Sequence, residues 1–297
     1  MYRTLVILRH TFFEAVVQPI YSLLIAVGAG VLIIFGMLPF FTLGEDTVMY
    51  KSVALDVILL LVLILTLFAT SRAIYEEIED RTMLTLMSKP VRRWEVLLGK
   101  YLGIVSAALL AVLILGAILV LCTWLRIPGD YQLRTRSLDE RDLAQLAGYR
   151  RMHSAGLIAS LVLVWMQVST LAAIGVALST RFSLVVNLPA VILIYVAGNL
   201  TRFLFPLEGR SPLVKGFAWV ISTLLPFLQV FDLREKTVYS PIRLAGTQFE
   251  NNPAGVYLST IWVYLGIAAL YGVAYVAFAL SAGLWSFRAR ELGGAEG

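Results

Sequence analysis

Six runs in this sequence are apolar over about the 20 residues that a helix needs to cross the hydrocarbon of a bilayer. They are Pro19–Phe41, Val53–Arg72, Tyr101–Leu125, Leu157–Thr180, Leu184–Phe205 and Val256–Trp285. In hydrocarbon no water reaches the backbone, so each run must satisfy its own N–H and C=O groups, and helices are the way a single segment does so. The expected fold is therefore all-α, a polytopic integral membrane protein with six transmembrane helices. Composition agrees, since 59% of the 297 residues are hydrophobic and only 14% are charged, against about a quarter in soluble domains. A seventh stretch, Phe217–Phe231, is short and interrupted by Pro226. It is expected to re-enter or lie at the interface under a cover of other protein. The first run is longer than the roughly 7–15 apolar residues of a secretory signal and has no small-residue cleavage pattern behind it, so it is expected to remain as a span.

The segments between the runs have their own signatures. In 1–18, Arg3, His10, Glu14 and Gln18 share one helical face while Leu5, Leu8, Phe12 and Val16 share another, the pattern of an amphipathic helix in the membrane plane. There His10 is expected to sit at headgroup level. The segment 126–153 is polar and contains Pro128-Gly129, a turn signal, then Ser137 and Glu140 spaced as a capping box before Leu143 and Leu146, which predicts a short helix. The segment 206–255 holds Pro206, Pro212, Pro226, Pro241 and Pro253 and is expected to fold as a cap of short pieces. No fixed-period repeat or low-complexity tract divides the chain, so 1–297 is expected to be a single membrane domain.

Several kinds of chemistry lack their residues. The histidines are His10 and His153 and the single cysteine is Cys122, too few for a histidine-based metal or catalytic centre. Gly99-Lys100 is followed by Tyr101 and does not make a phosphate-binding loop. The net charge of +5 is scattered over the span flanks, which favours lipid headgroups and a protein partner over nucleic acid. No ionisable residue lies near the middle of a span, whereas ion-coupled carriers place their relays there. Asp56, Arg72 and Arg202 fall near span ends. Gln167, Asn187 and Asn199 are polar and uncharged, suited either to a translocation path or to hydrogen bonds between helices. Small pairs such as Ala26 and Gly30, Ala173 and Ala177, and Ala268 and Gly272 permit close helix approach.

Charge concentrates in one place. Between the second and third runs, 73–100 carries Glu76, Glu77, Glu79 and Asp80, then Lys89, Arg92, Arg93, Glu95 and Lys100. Ile74, Ile78, Met83, Leu86 and Met87 suit one helix, with the acidic run near its start where the helix dipole favours negative charge. Ser88-Lys89-Pro90 breaks it, and Val91, Trp94, Leu98 and Tyr101 begin a second helix with Pro90 in its first turn. Such a helix–break–helix reads either as a solvated interfacial loop or as a docking knob for a soluble partner.

The order EDRTMLTLMSKPVRRWE followed by LLGKYLG resembles the E-x-G-T-L-x-x-L-L-S-x-P-V-x-R signature and following L-L-G-K of type-2 ATP-binding-cassette permeases, departing at Arg81 where that family has glycine. The resemblance implies a permease subunit paired with a second one, identical or not, and bound to cytoplasmic ATPase subunits that carry ATP and Mg. It implies that Glu79, Thr82, Leu86, Pro90, Arg93 and Lys100 lie in or beside the ATPase-contacting segment, with a mechanical role, and that this chain is not itself an enzyme and binds no cofactor. It further implies an elbow helix over 1–18, re-entrant extracytoplasmic helices before the last span, a plasma (inner) membrane location and a cytoplasmic amino terminus. Charge counting does not support that orientation by itself, since fewer than half of the 24 Lys+Arg fall on the amino-terminal side, but the rule is weak for long structured loops. Export of an amphipathic or lipid-like substrate suits the uncharged spans. A membrane anchor that recruits soluble proteins and moves nothing would use the same docking knob.

Overall fold

The computed structural model describes residues 2–38, 46–79, 92–130, 140–204, 225–234, 237–238 and 254–288. Every long regular element among them is a helix: α1 (Tyr2–Val17), α2 (Pro19–Met37), α3 (Asp46–Thr70), α4 (Arg93–Asp130), α5 (Glu140–Ser179), α6 (Leu184–Leu204) and α7 (Ala254–Arg288). Five are long and apolar enough to cross a membrane: α2, α3 with its continuation to Glu79, α4, α5 and α7. The remaining expected run forms α6, which contains Pro189 and whose apolar part, Leu184–Leu200, is shorter than the others.

The break between α1 and α2 follows from Pro19. The ring of a proline disfavours helical backbone in the residue before it, and Gln18 is extended with ψ 134°, leaving Pro19 as the first residue of α2. From that break α1 turns back along α4. Two glycines set how closely: a Cβ on Gly103 would lie 2.7 Å from the Leu8 carbonyl oxygen, and one on Gly99 would lie 2.9 Å from the Ile7 Cβ. The small residues of α1 follow suit, with Thr11 and Ala15 buried. The apolar face expected for 1–18 is consequently divided, because Phe12 and Val16 pack against the core while Leu5 is exposed, as are Tyr2, Val6, Phe13 and Val17.

At the centre α3, α4 and α5 pack on one another, with α2 against α3 and α4, α7 against α5, and α6 against α5 and α3. Polar side chains in this interior donate to the second lone pair of helix carbonyls on neighbouring elements. The Tyr21 hydroxyl donates to the Ala107 oxygen at 3.0 Å, that of Tyr50 to Leu32 at 3.1 Å, that of Tyr101 to Ser169 at 3.2 Å, and the Trp165 indole to Val105 at 3.2 Å. Arg126 donates to the carbonyls of Phe35 and Gly36 at 3.1 Å, satisfying the last turn of α2 where no intrahelical partner remains.

Three helices extend beyond their expected bounds. The spacing predicts a separate interfacial helix before Tyr101 and a turn at Pro128, but α4 is continuous from Arg93 to Asp130. Pro128 has no N–H to donate to the Trp124 carbonyl, so it costs the helix one hydrogen bond in its final turn without ending it before Asp130. The short helix expected at Leu143 and Leu146 is the beginning of α5, which is unbroken to Ser179; Ser137 lies outside the described residues. The third extension is that of α3, through a widened π-type turn at Ser71–Glu76 and a last turn at Glu77–Glu79.

Replacing Gly103 with leucine should force α1 off α4 and destabilise the protein by about 1–3 kcal/mol, the usual cost of overpacking. Gly30→Ala, where an added Cβ meets nothing within 4 Å, should be neutral. Thermal unfolding of both variants in one detergent or lipid checks the difference.

Candidate functional site

The two ends of the charged connection meet in a buried clasp. The spacing predicts that Glu76, Glu77 and Glu79 open a new helix, but they sit instead at the far end of the helix that starts at Asp46. This corrects the electrostatics, since the carbonyl end of a helix is its negative pole and disfavours carboxylates. Lys100 resolves the conflict. Its ammonium, 3% exposed, donates to the Ala73 carbonyl at 2.5 Å and pairs with the Glu77 Oε1 at 2.6 Å. One cation thus serves a carbonyl within the π-type turn and a carboxylate that the helix end repels. Such turns occur where a regular helix has been adapted for a local task. The exposed pair Arg72–Glu76, at 3.8 Å, adds little in water.

Arg93, in the first turn of α4, reaches the opposite way. Its Nη1 donates to the Phe287 carbonyl at 2.9 Å, and its guanidinium lies 5.4 Å from the Phe287 ring centroid, a cation–π contact that also ties down the end of α7. Glu95 accepts from the Arg92 N–H at 2.9 Å, which caps the start of α4. The beginning of α4 is therefore joined to α3 by Lys100 and to α7 by Arg93. Of the other residues assigned to this segment by resemblance, Glu79 is exposed at the end of α3's continuation, and Thr82, Leu86 and Pro90 lie outside the described residues.

The three polar residues of the spans separate into two groups. Asn187, at the start of α6 and fully buried, donates to the Ser179 hydroxyl at 2.7 Å and the Gly175 carbonyl at 3.2 Å, with Thr70 Oγ1 at 3.5 Å. It stitches α6 to α5 and α3. Gln167 and Asn199 instead line a cavity of about 230 Å³ together with Asp56, Ser160, Tyr195 and Arg234. The cavity is closed from one side by 225–234, whose turn at Leu228–Phe231 buries both of its ends among Leu63, Leu163, Val191 and Leu265. Hydrogen bonds hold that turn in place, from Gln229 to the Asn199 carbonyl at 2.9 Å and from the Tyr264 hydroxyl to the Val230 carbonyl at 2.9 Å. At its end Arg234 makes a bidentate ion pair with Asp56, at 2.5 and 2.8 Å. Burial by itself would lower the Arg234 pKa, but the hydrogen bonds and charge of Asp56 and the charge of Asp232 outweigh it, and the net shift is upward. Asp56, near a span end, is thus a fixed partner and not merely a residue reaching for water.

A second buried polar contact has no counterpart in the sequence patterns. Because α3 begins at Asp46, ahead of the expected Val53, Lys51 falls inside it and is fully buried. Its ammonium lies 2.8 Å from Nδ1 of the buried His153 on α5 and 3.4 Å from the Val238 carbonyl. A strongly apolar context around a lysine next to a helix start was the available signal, but its partner is 102 positions away.

No curated protein matches the chain. The family profile described as ABC-2 family transporter protein matches residues 37–281, which takes in the clasp, the cavity and every helix from α3 to α6 together with most of α7. This multi-pass membrane protein belongs to the ABC-2 family of transporter proteins, as a permease component.

Proposed function

We propose that the protein is the permease subunit of an ATP-driven exporter in the plasma (inner) membrane, one domain over 1–297 with its amino terminus in the cytoplasm. The membership of the family implies association with ATP-binding-cassette ATPase subunits, and these, not this chain, carry ATP, Mg and the hydrolytic chemistry. A second permease subunit completes the assembly. In this reading α6 is the fifth of six spans, α1 is the elbow helix, and the turn at Leu228–Phe231 belongs to a re-entrant piece on the extracytoplasmic side.

The observation that carries the reading is the Lys100 clasp. A connection pushed by a partner moves the bilayer-embedded body only if its ends are held to the spans and to each other. Lys100 holds the end of α3 to α4, and Arg93 holds the same turns of α4 to α7. Glu79, Thr82, Leu86 and Pro90 are assigned by the family resemblance to the ATPase-contacting segment between those anchors. Closure of the ATPases then tilts α3 and α4 together, and the wall of the cavity formed by Asp56 on α3 and Gln167 on α5 changes shape. Gln167 and Asn199 are assigned to the path of an amphipathic or lipid-like substrate, and Asn187 to packing.

In the complex reconstituted with its ATPase in nanodiscs, with Cys122 replaced by serine, a cysteine at Gln167 should change its labelling rate when ATP is added. Pro90→Ala combined with Arg93→Glu should leave ATP hydrolysis running while that response shrinks by about 5–150-fold, the range of ordinary coupling energies. A response absent from the parent protein would favour an anchor that moves nothing. Asn187→Ala, by contrast, should cost about 1–3 kcal/mol of stability through the hydrogen-bonding groups it leaves unpaired, with the labelling response intact in whatever protein folds.

A further inference from the structure

A groove of about 650 Å³ runs along the outer side of α4 and α5, with Trp165 at one end and Trp124 at the other. Its walls are apolar and open to the surroundings, Leu113 being 59% and Ile158 48% exposed. It exists because α4 is small where it passes α5. A Cβ on Gly116 would lie 2.6 Å from Leu161 Cδ1, so Leu161 settles onto bare backbone, and Ala117 beside it adds only a methyl to the floor. From Leu109 to Trp124, both on the lining, the helix rises about 22 Å, more than the ~15 Å depth of one leaflet's hydrocarbon.

At the Trp124 end the groove acquires a cation. The Arg150 guanidinium carbon stands 3.7 Å from the Trp124 ring centroid, and its Nε is buried without a hydrogen-bond partner among the described residues. Arg150 Nε is turned inward, out of reach from the surroundings, but the side chain as a whole is half-buried, and the outer N–H groups of its flat fork suit the oxygens of a phosphate. Arg126, on α4 with Trp124, is engaged elsewhere, on the carbonyls at the end of α2 and over the Tyr50 ring. An apolar trough of one chain's width, capped by a tryptophan at interface level and one cation, has the polarity of a lipid.

We propose that this groove binds an anionic phospholipid, one acyl chain lying over Ala117 between the two tryptophans and the phosphate on Arg150. The proposal needs only that α4 and α5 span the bilayer, and it is independent of the coupling mechanism. A second protein helix would fill the trough but would have to bring its own acceptor for Arg150.

The test uses the full-length protein in nanodiscs of phosphatidylcholine containing phosphatidylglycerol, each lipid in turn carrying a diazirine on its acyl chain. Cross-links should map to Leu113, Ala117 and Ile158, and native mass spectrometry should show phosphatidylglycerol retained over phosphatidylcholine. Arg150→Gln should reduce that preference about fivefold, the effect of one basic residue at a membrane surface, and Arg150→Lys should restore part of it. Ala117→Trp adds its bulk at an exposed position and should abolish the groove cross-links; if Arg150→Gln fails to fold, this variant decides. Equal retention of the two lipids by the parent protein would overturn the proposal. So would unchanged cross-linking in Ala117→Trp, or protein–protein cross-links at Ala117 showing that a second copy covers the groove.

Discussion

A lysine ammonium removed from water loses several kcal/mol of solvation unless other groups replace it, and Lys100, like Lys51, accepts that loss. What compensates at Lys100 is a carbonyl and a carboxylate from the end of another helix, Ala73 and Glu77. The dependence is mutual, because without the cation the negative pole of α3 would face its own run of carboxylates. The continuation of α3 to Glu79, the position at which the charged connection leaves the helix, and the contact between α3 and the first turns of α4 all follow from this one interaction. Gly99 and Gly103 flank it in sequence and hold α1 on the other side of α4, so a single short stretch of α4 receives α1, α3 and, through Arg93, α7.

The same economy of buried polarity recurs on the side of the body away from the clasp. Asp56 and Arg234 form a bidentate pair over the polar cavity, and Lys51 contacts His153 and the Val238 carbonyl. Both contacts attach the segment between α6 and α7 to α3, and the second also involves α5 through His153. Each charge is placed where its partner is within hydrogen-bonding distance, which is the condition for keeping ionisable groups in a low-dielectric interior. The helices themselves contribute carbonyls as acceptors for tyrosines and a tryptophan of neighbouring helices, so these polar residues join elements instead of weakening them.

Five of the six expected spans were legible in the sequence because the length of an apolar run is a local property. So was the break between α1 and α2, which a single proline imposes. The clasp was not, although Glu77 and Lys100 both stand in the charged connection, because whether 71–79 starts a helix or ends one depends on a contact across 27 positions. The pairing of Asp56 with Arg234 spans 178. Gly99 and Gly103 were visible as letters of a signature, but their physical use needs the backbone of α1 beside them. Gln167, Asn187 and Asn199 looked alike as isolated polar residues in apolar runs; only the neighbours of each, three hydrogen-bonding partners for Asn187 and a shared cavity for the other two, set them apart.

The central claim is that α3 and α4 are clamped at the charged connection and move as one body. Spin labels at Arg72 and Trp94, both exposed, together with a third at the exposed Arg181 between α5 and α6, test it in the assembled transporter with and without ATP. The clamp predicts a 72–94 distance that stays narrow and unchanged by nucleotide while both labels move relative to 181, and a broadened 72–94 distribution in Lys100→Met. A 72–94 distance that opens or closes with ATP in the parent protein would contradict it.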